Sequence, residues 1–258
     1  MNVHTRVLAP TIAMLVSIFV AAMDVAIMST VMPTIVGQLG GLPLYSWSFA
    51  AYLLTSTTTL PLYGKLADLY GRKPIFLLGM GLFVLGSFLA GAATTMEQLI
   101  VFRAVQGLGA GGTLPIAITI AGDLFPLEQR AKIQGVISSV WGVAAVLGPL
   151  IGSAIVAQTT WRWVFWINLP IGLLTATVLA ATLREQVQRR PHQIDYLGAA
   201  LLTAGVTALL LALVEGGQRG FHTPAVGGLL VTAALLLVLF VENERRAPEP
   251  MVPLSLLR

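Results

Sequence analysis

The 258-residue sequence contains no cysteine. That excludes a disulfide scaffold and a thiolate metal site. Charge is almost as scarce: fifteen Lys and Arg with eleven Asp and Glu make up 10% of the chain, where a water-soluble domain carries about 25%. So few ionic groups cannot keep the surface of a 27.3 kDa globule wet. Hydrophobic residues reach 56% and the mean hydropathy is +0.85, so lipid is the expected solvent for most of the surface. The net charge of +4 is too small to suggest nucleic acid as a partner. There is no long polar tail, no low-complexity segment and no stretch that reads as a soluble domain. His4, His192 and His222 all fall in terminal or loop positions, away from any carboxylate pair. No enzyme is expected, and no metal or cofactor.

What the chain does have is long apolar runs. A membrane core of roughly 30 Å needs about 20 apolar residues per helix. Eight stretches meet that length, at about 10–32, 45–63, 75–94, 99–121, 133–157, 163–182, 195–214 and 224–241. They are too long for strands, and they lack the period-two alternation of a membrane barrel. The expected fold is all-α, a polytopic helical membrane protein with about eight transmembrane helices. The first run is read as a retained helix rather than a cleaved signal, because it holds Asp24 and reaches Pro33 without a small-residue cleavage site.

Basic residues set the expected orientation. Arg6, Lys65, Arg72, Lys73, Arg130, Lys132, Arg184, Arg189, Arg190, Arg245, Arg246 and Arg258 fall on one side of this arrangement, and only Arg162 and Arg219 on the other. Both termini are therefore expected in the cytoplasm, with the chain in a cell (plasma or inner) membrane. Tyr45, Trp47, Trp161, Trp163 and Trp166 lie at the outer helix ends, as an interfacial aromatic belt would.

Two ionic residues stand within the spans. Asp24 sits in the outer half of the first; a carboxylate there is costly unless paired, protonated or facing water. It reads as a proton-binding or cation-sensing group, or alternatively as a packing Asp hydrogen-bonded to a neighbouring helix. Arg103 lies inside the fourth span with Gln106 one turn later. A guanidinium keeps its proton, so Arg103 faces the bundle interior or a water-filled cavity, snorkels to the interface, or pairs with Glu97. Gly107, Gly109, Gly111 and Gly112 give that helix a small face, and Gly135, Gly142, Gly148, Pro149 and Gly152 do the same on the fifth. Small residues let helices approach closely in lipid, and Pro149 adds a bend. In the loop Gly64–Lys73, Asp68 and Arg72 are four apart and would pair on one helical turn. Asp123 closes the fourth helix on the same side, completing a triad that would act as a latch.

These residues resemble the major facilitator superfamily, and within it the fourteen-helix drug:proton antiporters. The pattern G-x-L-A-D-x-x-G-R-K is matched by Gly64, Leu66, Ala67, Asp68, Gly71, Arg72 and Lys73. R-x-x-Q-G-x-G-A is matched by Arg103, Gln106, Gly107, Gly109 and Ala110. The antiporter pattern ending G-P-x-x-G-G is met by Gly148, Pro149 and Gly152, with Ser153 in place of the last glycine. Met23–Ile27 with Met32–Ile35, and Trp161–Gly172, look like further signatures of the drug-exporting subgroup. The resemblance implies that Asp68, Arg72 and Asp123 form a cytoplasmic charge relay stabilising an outward-facing state. It implies that Asp24 is the membrane acid answering to protons or cationic substrate, that Arg103 assists proton transfer, and that Gly148-Pro149 shapes a kink associated with antiport.

The implied organisation is a six-helix N-terminal bundle over 1–183, a cytoplasmic loop over 184–194, two additional helices over 195–243, and a tail over 244–258. Family members have fourteen helices, so the resemblance leaves six unaccounted for. The implied function is proton-coupled efflux of small lipophilic or cationic compounds, incomplete as a single chain. Its partners are the lipid bilayer, a small-molecule substrate, protons, and a second chain or further copy supplying the other half. Two readings stand beside it: a truncated, transport-incompetent protein serving a full-length relative, and a carrier of another solute. The absence of a G-x-x-x-x-G-K-[ST] loop disfavours ATP-driven export.

Overall fold

The computed structural model describes residues 3–183, 185 and 195–246, with side chains from residue 8. The basic residues Arg6, Arg184, Arg189, Arg190 and Arg258, with His4 and His192, lie outside the described side chains, as do most of the expected 184–194 loop and the 250–258 segment. The helices are α1 (Val3–Leu39), α2 (Tyr45–Tyr70), α3 (Arg72–Ala92), α4 (Met96–Leu124), α5 (Leu127–Gln158), the short α6 (Trp163–Trp166), α7 (Asn168–Thr182), α8 (Tyr196–Arg219) and α9 (Pro224–Arg246). No strand occurs among the described residues, and the fold is all-α. Among the described residues, seven segments are long and apolar enough to cross a membrane, Trp163–Thr182 taken as one of them.

The one expected span missing from these seven, the second at 45–63, is present as α2, which is long but falls short in apolarity. Its run Thr55-Ser56-Thr57-Thr58-Thr59 dilutes the hydrophobic character. The hydroxyls of Thr55, Ser56, Thr58 and Thr59 bond back to their own helix's carbonyls, and Thr55 also reaches the Ala104 carbonyl of α4 at 2.9 Å. Polar atoms satisfied this way are tolerated inside a membrane bundle.

Every expected span is helical, and most of the helices extend beyond the ends of the apolar runs. The expected 163–182 span is broken at Ile167, leaving α6 and α7 end to end. The helix expected to end at 243 continues to Arg246, where Glu242 pairs with Arg246 across one turn at 2.6 Å.

Helix α4 is the centre of the packing, lying between α2 and α3. A Cβ at Gly107 or Gly111 would collide with the α2 backbone at Tyr52 and Ser56; one at Gly109 would collide with α3 at Gly79 and Phe83. Without those glycines the three helices could not approach so closely. Helix α1 packs on α5 and α7, α3 also on α7, and α8 pairs with α9 and rests on α2. Asp195 caps α8 by accepting from the Gly198 amide at 2.8 Å and holds α9 by accepting from Asn243 at 2.5 Å. A helix N-terminus with its free N–H groups favours such a carboxylate.

Two expectations change. Trp161 is not part of an interfacial belt: it is fully buried, its indole Nε1 donates to Gln38 Oε1 at 2.9 Å, and the Arg162 guanidinium sits 4.4 Å from its ring centroid. It seals the C-terminal end of α1 against the turn before α6. Trp163, by contrast, is 52% exposed, as a belt residue would be. On α5, Gly148 and Gly152 do pack, against Ala26, Ile27 and Val31 of α1, while Gly135 and Gly142 face open space. Helix α5 presents one face to the bundle and leaves the other, with Val143, Val146 and Leu150, uncovered. It continues unbroken through Pro149.

Candidate functional site

The two ionic residues of the spans meet. Arg103 Nη1 donates to Asp24 Oδ2 at 2.5 Å, and both side chains are about 1% exposed or less. Arg103 therefore neither snorkels nor turns to Glu97. Gln106 completes a three-way contact: its Nε2 donates to Asp24 Oδ1 at 2.9 Å, and its Oε1 accepts from Arg103 Nη1 at 2.8 Å. The i, i+3 spacing on α4 puts Arg103 and Gln106 on one face, opposite the inward face of α1. The guanidinium carbon lies 4.2 Å from the ring centroid of Tyr52 on α2, a cation–π contact in a dry setting.

Two residues that the sequence reading passed over complete the shell. Asn168, the first residue of α7, is fully buried and donates from Nδ2 to Asp24 Oδ1 at 2.9 Å and to Ser87 Oγ at 3.0 Å. Ser87 on α3 in turn donates to the Phe165 carbonyl of α6 at 2.8 Å. The Asn168 Oδ1 is buried with no partner. The signal that points to Asn168 is a polar amide within an otherwise apolar run, since such groups face the bundle interior.

The carboxylate thus takes three N–H donors from two helices, as a buried ion requires. Breaking such a pair from one side costs about 3–5 kcal/mol. An ion pair of this kind, sealed inside the membrane layer, is a place where adding or removing one proton changes the local bonding.

The cluster expected at the cytoplasmic face differs from its expectation. Arg72 does not pair with Asp68; its guanidinium forms an ion pair with Asp123 at the end of α4. The reason is Gly71, whose φ of +95° ends α2 and starts α3, so that Asp68 and Arg72 do not share a helical turn. Only glycine adopts that conformation at no steric cost. Asp68 is exposed, and no described residue bonds it. Gly64 lies in open space within α2. Both partners of the Arg72–Asp123 pair are partly exposed, at 31% and 45%, so it is worth about 0–1 kcal/mol.

A third unanticipated residue, Glu185, binds the same junction. Its carboxylate accepts from the backbone amides of Arg72 at 2.8 Å and Lys73 at 3.0 Å, capping the start of α3. Lys73 Nζ donates to the Leu183 carbonyl at 3.0 Å. The chain after α7 and the α2–α3 turn therefore grip each other. Among the described residues, no His, Cys, Asp and Glu cluster is arranged to hold a metal ion.

Comparison with known proteins agrees with an all-helical membrane bundle. Residues 14–241 match the Major Facilitator Superfamily. The chain is 42% identical over 246 residues to the multidrug transporter protein MdtP of Bacillus subtilis, covering 95% of this chain and 46% of that protein. It is 41% identical over 242 residues to multidrug resistance protein 3 of the same organism, covering 93% and 47%. The human organic anion transporter MFSD10 has the same fold, with a TM-score of 0.65 at 18% identity, covering 88% of this chain and 60% of that one. The chain is a multi-pass membrane protein of the major facilitator superfamily, a family of transporters and not of enzymes. It spans about half the length of the curated relatives it matches.

Proposed function

We propose that the chain forms part of a proton-coupled exporter of small lipophilic or cationic compounds. The observation that carries this reading is the buried Asp24 carboxylate, held by Arg103, Gln106 and Asn168 with no water-exposed surface. An acid at this depth is expensive and earns a functional reading by default. Protonation of Asp24 dissolves its ion pair while Arg103 keeps its charge, so a proton arriving and a cation leaving compete for one negative site. The relatives named above are described as multidrug transporters, which supports the substrate class.

In this reading α5 slides and bends at Gly148-Pro149, with Gly142 and Gly152 on its small face. Arg72, Lys73 and Asp123, with Gly71 turning the chain between α2 and α3, form the cytoplasmic latch, and the exposed Asp68, one turn after Gly64 on α2, is the part of it offered to the facing half. Carriers of this architecture work by rocking two bundles about a midplane site. The facing bundle comes from the rest of a longer polypeptide, from a second chain or from a second copy. The protein lies in the cell membrane with its termini in the cytoplasm.

The test is proton-driven uptake of a lipophilic cation into inside-out vesicles carrying this chain together with the facing half. Asp24→Asn should reduce uptake to background, and Asp68→Asn should slow it. Undiminished proton-driven uptake by Asp24→Asn would overturn the proposal.

A further inference from the structure

We propose that Asn168 is a positioning residue that reads the protonation state of Asp24 by turning its side-chain amide over. The proposal rests on Asp24 being a proton-binding group. With Asp24 ionised, Asn168 Nδ2 donates to Oδ1 of the carboxylate at 2.9 Å. With Asp24 protonated, Asn168 Oδ1 accepts from the new carboxyl O–H.

The shell favours this turn. The charged and titratable groups facing Asp24 are Arg103 from α4 and, behind it, Tyr52 from α2. Helix α5 meets this part of α1 with Gly148 and Gly152, and α6 contributes Phe165, whose ring lies 6.0 Å from the Arg103 guanidinium. Every polar atom touching the carboxylate is an N–H donor: Arg103 Nη1, Gln106 Nε2 and Asn168 Nδ2. A neutral carboxyl has an O–H that needs an acceptor, and the other acceptors nearby already take one hydrogen bond each. Gln106 Oε1 accepts from Arg103, and Ser87 Oγ accepts from Asn168. The exception is Asn168 Oδ1, buried and unpartnered.

Turning the amide by a half-rotation about its last torsion exchanges Nδ2 and Oδ1, and that torsion is broad and roughly two-fold. Before the turn, Nδ2 makes two bonds, to Asp24 and Ser87, and Oδ1 makes none. After it, Oδ1 takes two, from the Asp24 carboxyl and the Ser87 hydroxyl, and Nδ2 takes none. The two arrangements hold equal numbers of amide hydrogen bonds, so the proton on Asp24 decides between them. The balance has a consequence for the chain: Ser87 must leave the Phe165 carbonyl it now serves at 2.8 Å. That carbonyl belongs to α6, two residues before the break at Ile167. Occupancy of Asp24 is thereby passed to the junction between α6 and α7.

The experiment uses the full chain in lipid nanodiscs, labelled with 15N-asparagine and titrated with pH. The sequence has three asparagines, Asn2, Asn168 and Asn243, so the Asn168 amide is assigned by its loss in Asn168→Ser. The protonated Asp24 carbonyl stretch is assigned by its loss in Asp24→Asn. We expect the Asn168 side-chain amide signal to shift with the same midpoint as the Asp24 band, and to stay fixed in Asp24→Asn. In Asn168→Leu the Asp24 band should move to higher wavenumber, as for a carboxyl without an acceptor, and Asn168→Ser should restore it. A titrating Asp24 beside a fixed Asn168 amide overturns this proposal and leaves proton coupling standing. An Asp24 that never titrates overturns both. Should Asn168→Leu fail to fold, the wild-type titration decides alone.

Discussion

A carboxylate and a guanidinium buried together in a bundle that lipid surrounds give little net stability, yet removing either one is expensive. The reason is asymmetry: a lone buried ion keeps its desolvation cost and loses its compensation. Arg103→Leu should therefore destabilise the bundle by about 3–5 kcal/mol, because Asp24 is left with only the amides of Gln106 and Asn168. Asp24→Asn combined with Arg103→Leu should recover much of that loss, since no uncompensated charge remains. Thermal unfolding of the single and double variants in detergent measures the coupling; additive losses would show that the pair does not act as a unit. At this scale the sequence announced Asp24, Arg103 and Gln106 one by one, as ionic or polar groups where lipid tolerates few. It could not say that they touch, because a contact between α1 and α4 depends on the register of two helices nearly 80 residues apart. Asn168 stayed hidden for the same reason.

Helix α4 holds its neighbours by what it lacks. Gly109 has no room for a methyl group against the α3 backbone, whereas Gly122 on the same helix has nothing within 4 Å. Gly109→Ala should cost about 1–3 kcal/mol by overpacking. Gly122→Ala should be neutral or stabilise by up to about 1 kcal/mol through helix propensity. Unfolding midpoints of the two variants compare them directly, and equal midpoints would refute close α3–α4 contact. At the α2–α3 junction, Glu185→Gln keeps the shape of the cap on α3 and removes its charge. It should lower stability by about 0.3–1 kcal/mol, an effect that salt screens in the wild type and not in the variant. The apolar runs located all the helices, since a membrane-length run dictates its own conformation by forcing backbone bonds inward. Their ends were less legible, because the helices continue into water, where hydropathy no longer marks them. The turn at Gly71 was misjudged for a different reason: spacing of four residues pairs side chains only when the helix is continuous, and one left-handed glycine breaks it.

For the whole molecule, the charge-poor composition and the distribution of basic residues along the sequence lead to an expected orientation that the missing cysteines make easy to check. Any single introduced cysteine is then the only thiol in the chain. Thr160 before α6 and His222 between α8 and α9 are exposed and belong to the side with few basic residues; Gln129 at the start of α5 is exposed on the opposite side, beside Arg130. If both termini are cytoplasmic, Thr160→Cys and His222→Cys should react with a membrane-impermeant maleimide added to intact cells. Gln129→Cys should react only after the membrane is opened. The reverse pattern would invert the bundle. It would place the Arg72–Asp123 pair and the Glu185 clamp outside, where a latch facing the cytoplasm could not operate, so the orientation decides whether those contacts can serve transport at all.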